Sequence, residues 1–150
     1  MSTNRLMSLI DSLIDDAKAA VLATVDTKGA PRLRWITPGS IADRPGFLYM
    51  ITAHDFDKVA QAKEHPEASM LLQSRQLDRV LQLQGVLAVL ENPVIRSATL
   101  ERVSPMLNAF WKTGSKDRDL LVLEFRITEA VFYRPMSGIK ENLPIDGGTV

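Results

Sequence analysis

The sequence predicts a mainly β protein of the α+β class, with six or seven antiparallel strands and peripheral helices. Three observations predict this class. Short apolar runs recur along the chain, and several of them alternate with polar residues. Turn sequences such as Asp26–Gly29 and Asp43–Gly46 separate neighbouring runs, and short reverse turns favour antiparallel pairing. The 150 residues suit one domain, and this many strands favours a closed barrel over an open sheet.

The first half of the chain predicts two helices and three strands. Apolar residues at helical spacing over residues 6–17 predict an amphipathic helix, with Ser2 or Thr3 available as its N-cap. A second helix is expected to begin at Asp55 and to end before Pro66. The predicted strands are residues 20–25 (AVLATV), 31–42 (PRLRWITPGSIA) and 47–52 (FLYMIT).

Two further strands are predicted over residues 68–74 and 79–91. In the longer one, apolar and amide side chains share one face: Val80, Gln82, Gln84 and Val86. This mixed face predicts a partly polar environment, such as a cofactor rim or a subunit interface. Gly85 lies on the opposite face, where it is expected to allow a close approach between strands.

The last third of the chain predicts two short helices and two strands. The helices are expected over residues 97–103 and 104–112, with Ser104 as the cap of the second helix and Pro105 at its first position. The strands are expected at residues 120–127 (LLVLEFRI) and 128–133 (TEAVFY), with an irregular tail at residues 134–150.

Composition and charge exclude several classes of function. Lys plus Arg equals Asp plus Glu at 18 each, so no basic excess points to nucleic acid. The absence of cysteine excludes disulfides, thiol nucleophiles and thiolate metal sites. No stretch of the sequence has the length of a membrane span, and the N-terminal segment lacks the pattern of a signal peptide. We therefore expect a cytoplasmic protein that binds neither nucleic acid nor membrane.

Catalytic motifs that depend on local sequence are missing as well. There is no G-x-S-x-G context and no glycine-rich phosphate loop. The only histidines are His54 and His65, and no acidic cluster accompanies them, so no metal site is expected. Trp35 and Trp111 could stack on a flavin or a nucleotide, although packing in the core or at an interface is favoured for Trp111.

Five segments, in order and in register, carry a resemblance to a known family. They are residues 23–35 (ATVDTKGAPRLRW), 47–52 followed by Lys58-Val59, 64–72 (EHPEASMLL), 83–93 (LQGVLAVLENP) and 119–133 (DLLVLEFRITEAVFY). Together they resemble the general stress protein branch of the pyridoxamine 5'-phosphate oxidase-like, FMN-binding split barrels. The similarity covers residues 5–133. It implies a split-barrel domain at residues 1–133 and a C-terminal tail at residues 134–150.

The resemblance also implies a homodimer that holds FMN at the subunit interface. In such proteins an arginine of the second strand and a lysine after the third strand bind the flavin phosphate, and the matching positions are Arg34 and Lys58. Strand backbone would line the isoalloxazine and ribityl chain at Trp35, Ile36, Thr37, Ile51 and Thr52. A planar guanidinium and a mobile ammonium are both suitable for a phosphate dianion.

The chain departs from the oxidase pattern at three places. Phe56 and Asp57 stand where that pattern has a serine and an arginine, so a hydrogen-bond donor is lost and a negative charge is added. Val80 stands where a glutamine often faces the cofactor. Residues 134–150 lack the tryptophan and the arginine-rich stretch that bind substrate phosphate in true oxidases. Authentic pyridoxamine phosphate oxidase activity is therefore not expected.

Three hypotheses follow from the resemblance and these departures. The first is an FMN flavoprotein without a catalytic side chain, which passes hydride or electrons to an unidentified small molecule. The second keeps the fold but binds the deazaflavin F420, with cations near Arg32 and Arg34, or haem, with His54 as axial ligand. The third is a non-catalytic dimeric stress-response module that has lost its cofactor.

Overall fold

The apolar stripe near the N-terminus forms helix α1, Ser2–Ala17, as the sequence predicts. In the computed structural model, which describes residues 2–53, 62–107 and 120–145, the stripe packs against the sheet. Leu6, Ile10 and Leu13 are at most 1% exposed there. The helix ends at Lys18, whose φ of 68° is left-handed and turns the chain into the first strand.

Seven strands and a second helix, α2, complete the elements within the described ranges. The strands are β1 (Ala20–Val25), β2 (Pro31–Ile36), β3 (Phe47–Ala53), β4 (Glu67–Gln73), β5 (Val80–Leu90), β6 (Leu120–Arg134) and β7 (Ile139–Leu143). Helix α2, Pro93–Leu107, lies between β5 and β6 in the chain. Residues 62–64 are helical and precede β4. The predicted mainly β, α+β class is confirmed.

All strand pairs are antiparallel, and the sheet curls into a split barrel. The order of the strands is β2-β1-β4-β5-β6-β3, and β7 adds to β6 outside this path. The two end strands, β2 and β3, meet where the chain after β2 makes a single bridge, Gly39 to Tyr49. The barrel is closed at this bridge, and the described parts of β2 and β3 are not paired beyond it.

The core fills the inside of this barrel. Alternate residues of β1, β4 and β5 face inward, so the burial of these strands alternates along the chain. Phe125 of β6 is fully buried beside Gly85 of β5. A Cβ on Gly85 would lie 2.5 Å from the backbone oxygen of Arg126 and 2.6 Å from Cζ of Phe125. The predicted close approach of strands at this glycine is confirmed.

The prediction of two short helices, at residues 97–103 and 104–112, was wrong in part. The described part of this segment forms the single helix α2. The Asn92 side-chain oxygen accepts hydrogen bonds from the backbone N–H groups of Val94 (2.9 Å) and Ile95 (3.2 Å). Asn92-Pro93 is therefore the cap and first position that start the helix. Ser104-Pro105 has the same signature but falls inside the helix, where the proline costs the hydrogen bond that its missing N–H would donate to the backbone oxygen of Glu101. Residues 108–112 lie outside the described part of the chain.

The expected break between residues 127 and 128 was also wrong, because β6 is continuous across it. The register on β5 passes from Gln84↔Glu129 to Gly85↔Ile127, so Thr128 is the extra residue of a β-bulge. The Thr128 hydroxyl donates to the backbone oxygen of Gln84 at 3.1 Å. A bulge interrupts the alternation of apolar residues without ending the strand, which explains the misplaced break.

The prediction of an irregular tail at residues 134–150 was wrong for residues 139–143, which form strand β7. Ser137 N–H donates to Arg134 oxygen at 3.2 Å, and Gly138 takes a φ of 68°, so the chain reverses in a tight turn. Strand β7 then pairs with β6, and Leu143 joins the hydrophobic core. Neither helix of the described ranges is long and apolar enough to cross a membrane.

Candidate functional site

The opening of the split barrel lies between the end strands β2 and β3. The two strands are joined at the Gly39↔Tyr49 bridge, and Ile36 of β2 and Thr52 of β3 each lie three residues from it along the chain, on the two sides of the opening. Arg34, Ile36 and Thr52 all lie on the core-facing side of their strands. The two strands that the sequence predicts to contribute cofactor-binding residues therefore face each other across this opening.

Arg34 is half-buried and contacts the neighbouring strand. Its Nη2 donates a hydrogen bond to the Thr24 hydroxyl at 2.8 Å, and Thr24 is 4% exposed. Burial lowers the pKa of the Arg34 guanidinium from its ordinary value, but an arginine remains charged at neutral pH. The opening thus has a fixed cation whose orientation is set by β1.

Arg32, two residues earlier on the same face, has a different role. Its Nε donates to Asp26 Oδ2 at 3.0 Å, and its side chain is 61% exposed. Asp26 also accepts the backbone N–H groups of Lys28 and Ala30, both at 2.9 Å. These hydrogen bonds lower the pKa of the Asp26 carboxyl. The bond from the Ala30 N–H has the largest effect, and those from Arg32 and the Lys28 N–H add to it. Arg32 therefore stabilises the β1–β2 turn.

Thr52 places an unpaired polar atom at the opening. The residue is 3% exposed, and its hydroxyl has no hydrogen-bond partner among the residues that the structure describes. Most buried hydroxyls in proteins are hydrogen-bonded, because an unsatisfied one loses its solvation without compensation. Such an exception calls for an explanation, and a ligand bound at the opening would provide one.

The other predicted site residues are spread over both faces of the sheet. Ile36 is half-buried against the core, and Ile51 is half-buried on β3. The Thr37 hydroxyl donates to the backbone oxygen of Lys18 at 3.1 Å, so it fastens the end of α1. Trp35 lies on the outer face and is 78% exposed. The structure therefore places Arg34 and Ile36 on one side of the opening and Thr52 on the other, and it directs the Trp35 side chain to the outer face.

Several residues that entered the sequence prediction lie outside the described residues. They are His54, Phe56, Asp57, Lys58 and Trp111. The contribution of Lys58 to phosphate binding therefore stays a prediction. Within the described ranges, no group of three or more His, Asp or Glu side chains is placed to hold a metal ion.

A polar trio at the closed end of the barrel, centred on Tyr49, has no signal in the sequence. The Tyr49 hydroxyl accepts a hydrogen bond from Arg44 Nε and donates to Glu124 at 3.0 Å, while Arg44 pairs with Glu124 at 3.2 Å. Tyr49 is fully buried, and this burial is the largest cause that raises the pKa of its hydroxyl to about 12. The trio joins β3, β6 and the turn before β3 at the closed end of the barrel.

A second concave feature lies on the outer face, where β1, β4, β5 and β6 form a groove of about 720 Å³. Its polar lining includes Ser69, Gln84 and Glu129, which lie opposite one another on β4, β5 and β6. The mixed face of β5 predicted a polar environment here, and the exposure of Gln82 and Gln84 agrees with it. A β-bulge brings Thr128 into the groove. In the sequence this bulge gave only the false indication that one strand ends at residue 127 and another begins at residue 128.

Fold and site together define an antiparallel split-barrel protein with Arg34 at the opening between its end strands. The family described as "Pyridoxamine 5'-phosphate oxidase like" matches residues 6–141, and the chain belongs to this family. No curated protein sequence matches the chain. The family predicted from the residue pattern is therefore confirmed.

Solved structures of related fold support this assignment. General stress protein 26 from Bacillus anthracis has a TM-score of 0.69 at 17% identity, over 92% of this chain and 98% of that chain. A pyridoxamine 5'-phosphate oxidase-related, FMN-binding protein from Nostoc punctiforme has a TM-score of 0.67 at 14% identity, over 93% and 90% of the two chains. An F420 reductase has a TM-score of 0.61 at 16% identity, over 80% and 94%. At these identities the likeness establishes the fold.

Proposed function

We propose that the chain is a flavoprotein oxidoreductase that holds FMN at the β2–β3 opening and passes hydride or electrons to a small-molecule substrate. The Thr52 hydroxyl carries the proposal, because it is buried at this opening without a partner among the described side chains and backbone groups. An unsatisfied buried hydroxyl costs about 1–3 kcal/mol. A polar group of a bound cofactor would remove that cost, so the residues present fit such a ligand.

The anionic end of the cofactor is assigned to Arg34. A guanidinium binds a phosphate through two parallel N–H donors, and β1 already orients this one through Thr24. Lys58 adds a second cation in the proposal, on the basis of its position after β3. Asp57 places a carboxylate beside that lysine, so we expect weaker phosphate binding than a serine and arginine would give.

A homodimer is part of the same proposal. Leu33 and Trp35 are 74% and 78% exposed on the outer face of β2, which is unusual for large apolar side chains on a strand. They lie on β2, the end strand of the sheet, at the edge of the opening. A second copy of the chain that covers Leu33 and Trp35 would bring a second subunit next to the opening.

The protein's part in the reaction is binding, orientation and exclusion of water. A bound flavin supplies the redox chemistry, and the protein tunes it through hydrogen bonds and charge. Arg34 holds the anionic end, and Thr52 fixes a polar group of the cofactor. Ile36 and Ile51 contribute apolar surface at the opening.

The visible absorption spectrum tests the proposal. Purified protein is incubated with FMN, desalted and measured, alongside Arg34→Ala and Arg32→Ala variants. We expect flavin absorbance to stay with the wild type and with Arg32→Ala, because Arg32 is paired with Asp26. Arg34→Ala should lose it. A wild-type protein that retains no FMN would contradict the proposal and would favour a non-catalytic dimer.

F420 is the second candidate, favoured by the fold shared with an F420 reductase. It carries a phosphate and an acidic tail, so Arg34 would bind the phosphate and Arg32 could reach the tail. The same spectral experiment with F420 separates the candidates. Retention of F420 but not FMN, with loss of affinity in both arginine variants, would replace the first proposal with the second.

A further inference from the structure

The outer-face groove has a floor of strand β5 between two acidic walls. Val86 and Gln84 of β5 form the floor, with Glu67 of β4 on one side and Glu129 of β6 on the other. Adjacent strands are about 4.8 Å apart, so β4 and β6 on either side of β5 are separated by about 10 Å, which leaves room for a small aromatic ring with its substituents. The groove has a volume of about 720 Å³, which is in the range of small-molecule sites.

The charge of the groove is negative. Glu67 and Glu129 are both exposed, and neither carboxylate forms an ion pair within the described residues. No lysine, arginine or histidine is among the residues that line the groove. Arg126 is the nearest cation in the register of β6, where it lies opposite Val86, but it does not line the groove. An anionic ligand would therefore be repelled here and a cationic ligand attracted.

The remaining lining offers hydrogen bonds and apolar contacts. The Ser69 hydroxyl is hydrogen-bonded to the Gln84 side chain, so β4 orients the amide at the centre of the floor. Apolar surface comes from Ala23, Val25 and two prolines, Pro31 and Pro66. A polar centre within apolar walls is the usual composition of a small-molecule site.

The groove lies on the opposite face of the sheet from Arg34. Thr24 is one of the residues that line the groove, but its hydroxyl is buried and accepts the Arg34 hydrogen bond on the core-facing side of β1. The sheet therefore has a cation, Arg34, on its core-facing side and the carboxylates of the groove on its outer face.

We propose that this groove is a subsite for an organic cation, namely a protonated amine attached to a small apolar ring, and that Glu67 and Glu129 select its charge. The inference goes beyond the proposed function and does not rest on it. It excludes phosphate esters and carboxylates from this position. The binding of the cation itself depends on the groove alone.

Backbone amide NMR titration tests the proposal with three small probes of one shape. Benzylamine is cationic at neutral pH, benzyl alcohol is neutral and benzoate is anionic. Each is titrated into the flavin-free and the FMN-incubated protein. The variants are Glu67→Gln, Glu129→Gln and, as a matched control, Glu101→Gln, an exposed residue of α2 that does not line the groove.

We expect benzylamine to shift the amide signals of Ser69, Gln84 and Val86 in a saturable way. Its dissociation constant should rise about two- to fivefold in each groove variant, the range for a solvent-exposed ion pair, and stay unchanged in Glu101→Gln. Benzyl alcohol should bind more weakly and equally to all variants, and benzoate should leave the signals unshifted. The proposal is overturned if benzylamine leaves the groove signals unshifted, or if the glutamine substitutions leave its affinity unchanged.

The two proposals fail in different ways in this experiment. Benzylamine binding in the groove of a protein that takes up no FMN would overturn the flavin proposal and support the cation site. FMN binding that shifts the signals around Arg34, without any benzylamine binding, would support the flavin proposal and overturn the cation site.

Discussion

Replacing Thr52 by valine should stabilise the flavin-free protein and weaken its binding to FMN. The two side chains have nearly the same shape, but valine has no hydroxyl to leave unpaired in a site that is 3% exposed. An unsatisfied buried hydroxyl costs about 1–3 kcal/mol, so we expect a gain of about 1–2 kcal/mol in the free energy of unfolding. Urea unfolding without flavin measures it.

Thr24 provides the matched control for this substitution. It is also a buried strand threonine, but its hydroxyl accepts the Arg34 hydrogen bond. Thr24→Val should therefore destabilise the protein by about 1–2 kcal/mol. Added FMN stabilises a protein in proportion to its affinity, so FMN should raise the stability of the wild type more than that of Thr52→Val. Loss of stability in flavin-free Thr52→Val, or an unchanged affinity for FMN, would refute the reasoning.

Three further predictions concern the fold. Gly85→Ala places a methyl group 2.5 Å from the backbone oxygen of Arg126, so urea unfolding should show a loss of about 1–3 kcal/mol or no folded protein; an unchanged midpoint would contradict the packing. Tyr49→Phe removes the hydroxyl that donates to Glu124 and should cost about 1–2 kcal/mol in thermal unfolding, whereas a gain would show that the hydroxyl is not stabilising. The lowered pKa of Asp26 means that the unfolded chain takes up this proton first as the pH falls. The stability that Asp26 contributes is therefore present above about pH 4 and lost below it, so the wild type and Asp26→Asn should converge in acid; a constant difference would contradict it.

Local patterns predicted most of the fold, and they failed where tertiary contacts decide. The α1 stripe, the strand alternation and the turn at Asp26–Gly29 each depend on neighbours in sequence, so all were predictable. The start of α2 was misplaced because Asn92-Pro93 and Ser104-Pro105 carry the same signal. Strand β7 was missed because its residues are mostly polar and pair with one edge of β6.

The candidate site was predictable only in part for a similar reason. The resemblance pointed to Arg34 and Thr52, and the structure places both at the opening. Periodicity showed that Trp35 faces away from Arg34, but it could not show which face is outside. The acidic groove depends on the pairing of β4, β5 and β6, which bring Glu67 and Glu129 to either side of one floor. Glu67 and Glu129 are far apart in the sequence, so the sequence alone does not indicate that they line the same groove.

The most direct test of a phosphate-binding Arg34 compares FMN with riboflavin, which lacks the phosphate. Quenching of flavin fluorescence gives both dissociation constants for the wild type, Arg34→Ala and Arg32→Ala. If Arg34 binds the phosphate, the wild type prefers FMN, and Arg34→Ala reduces this preference by about tenfold, the value of one charge-assisted hydrogen bond. Riboflavin affinity and the Arg32→Ala preference should stay near wild type. An FMN preference that is the same in the wild type and Arg34→Ala would contradict the account.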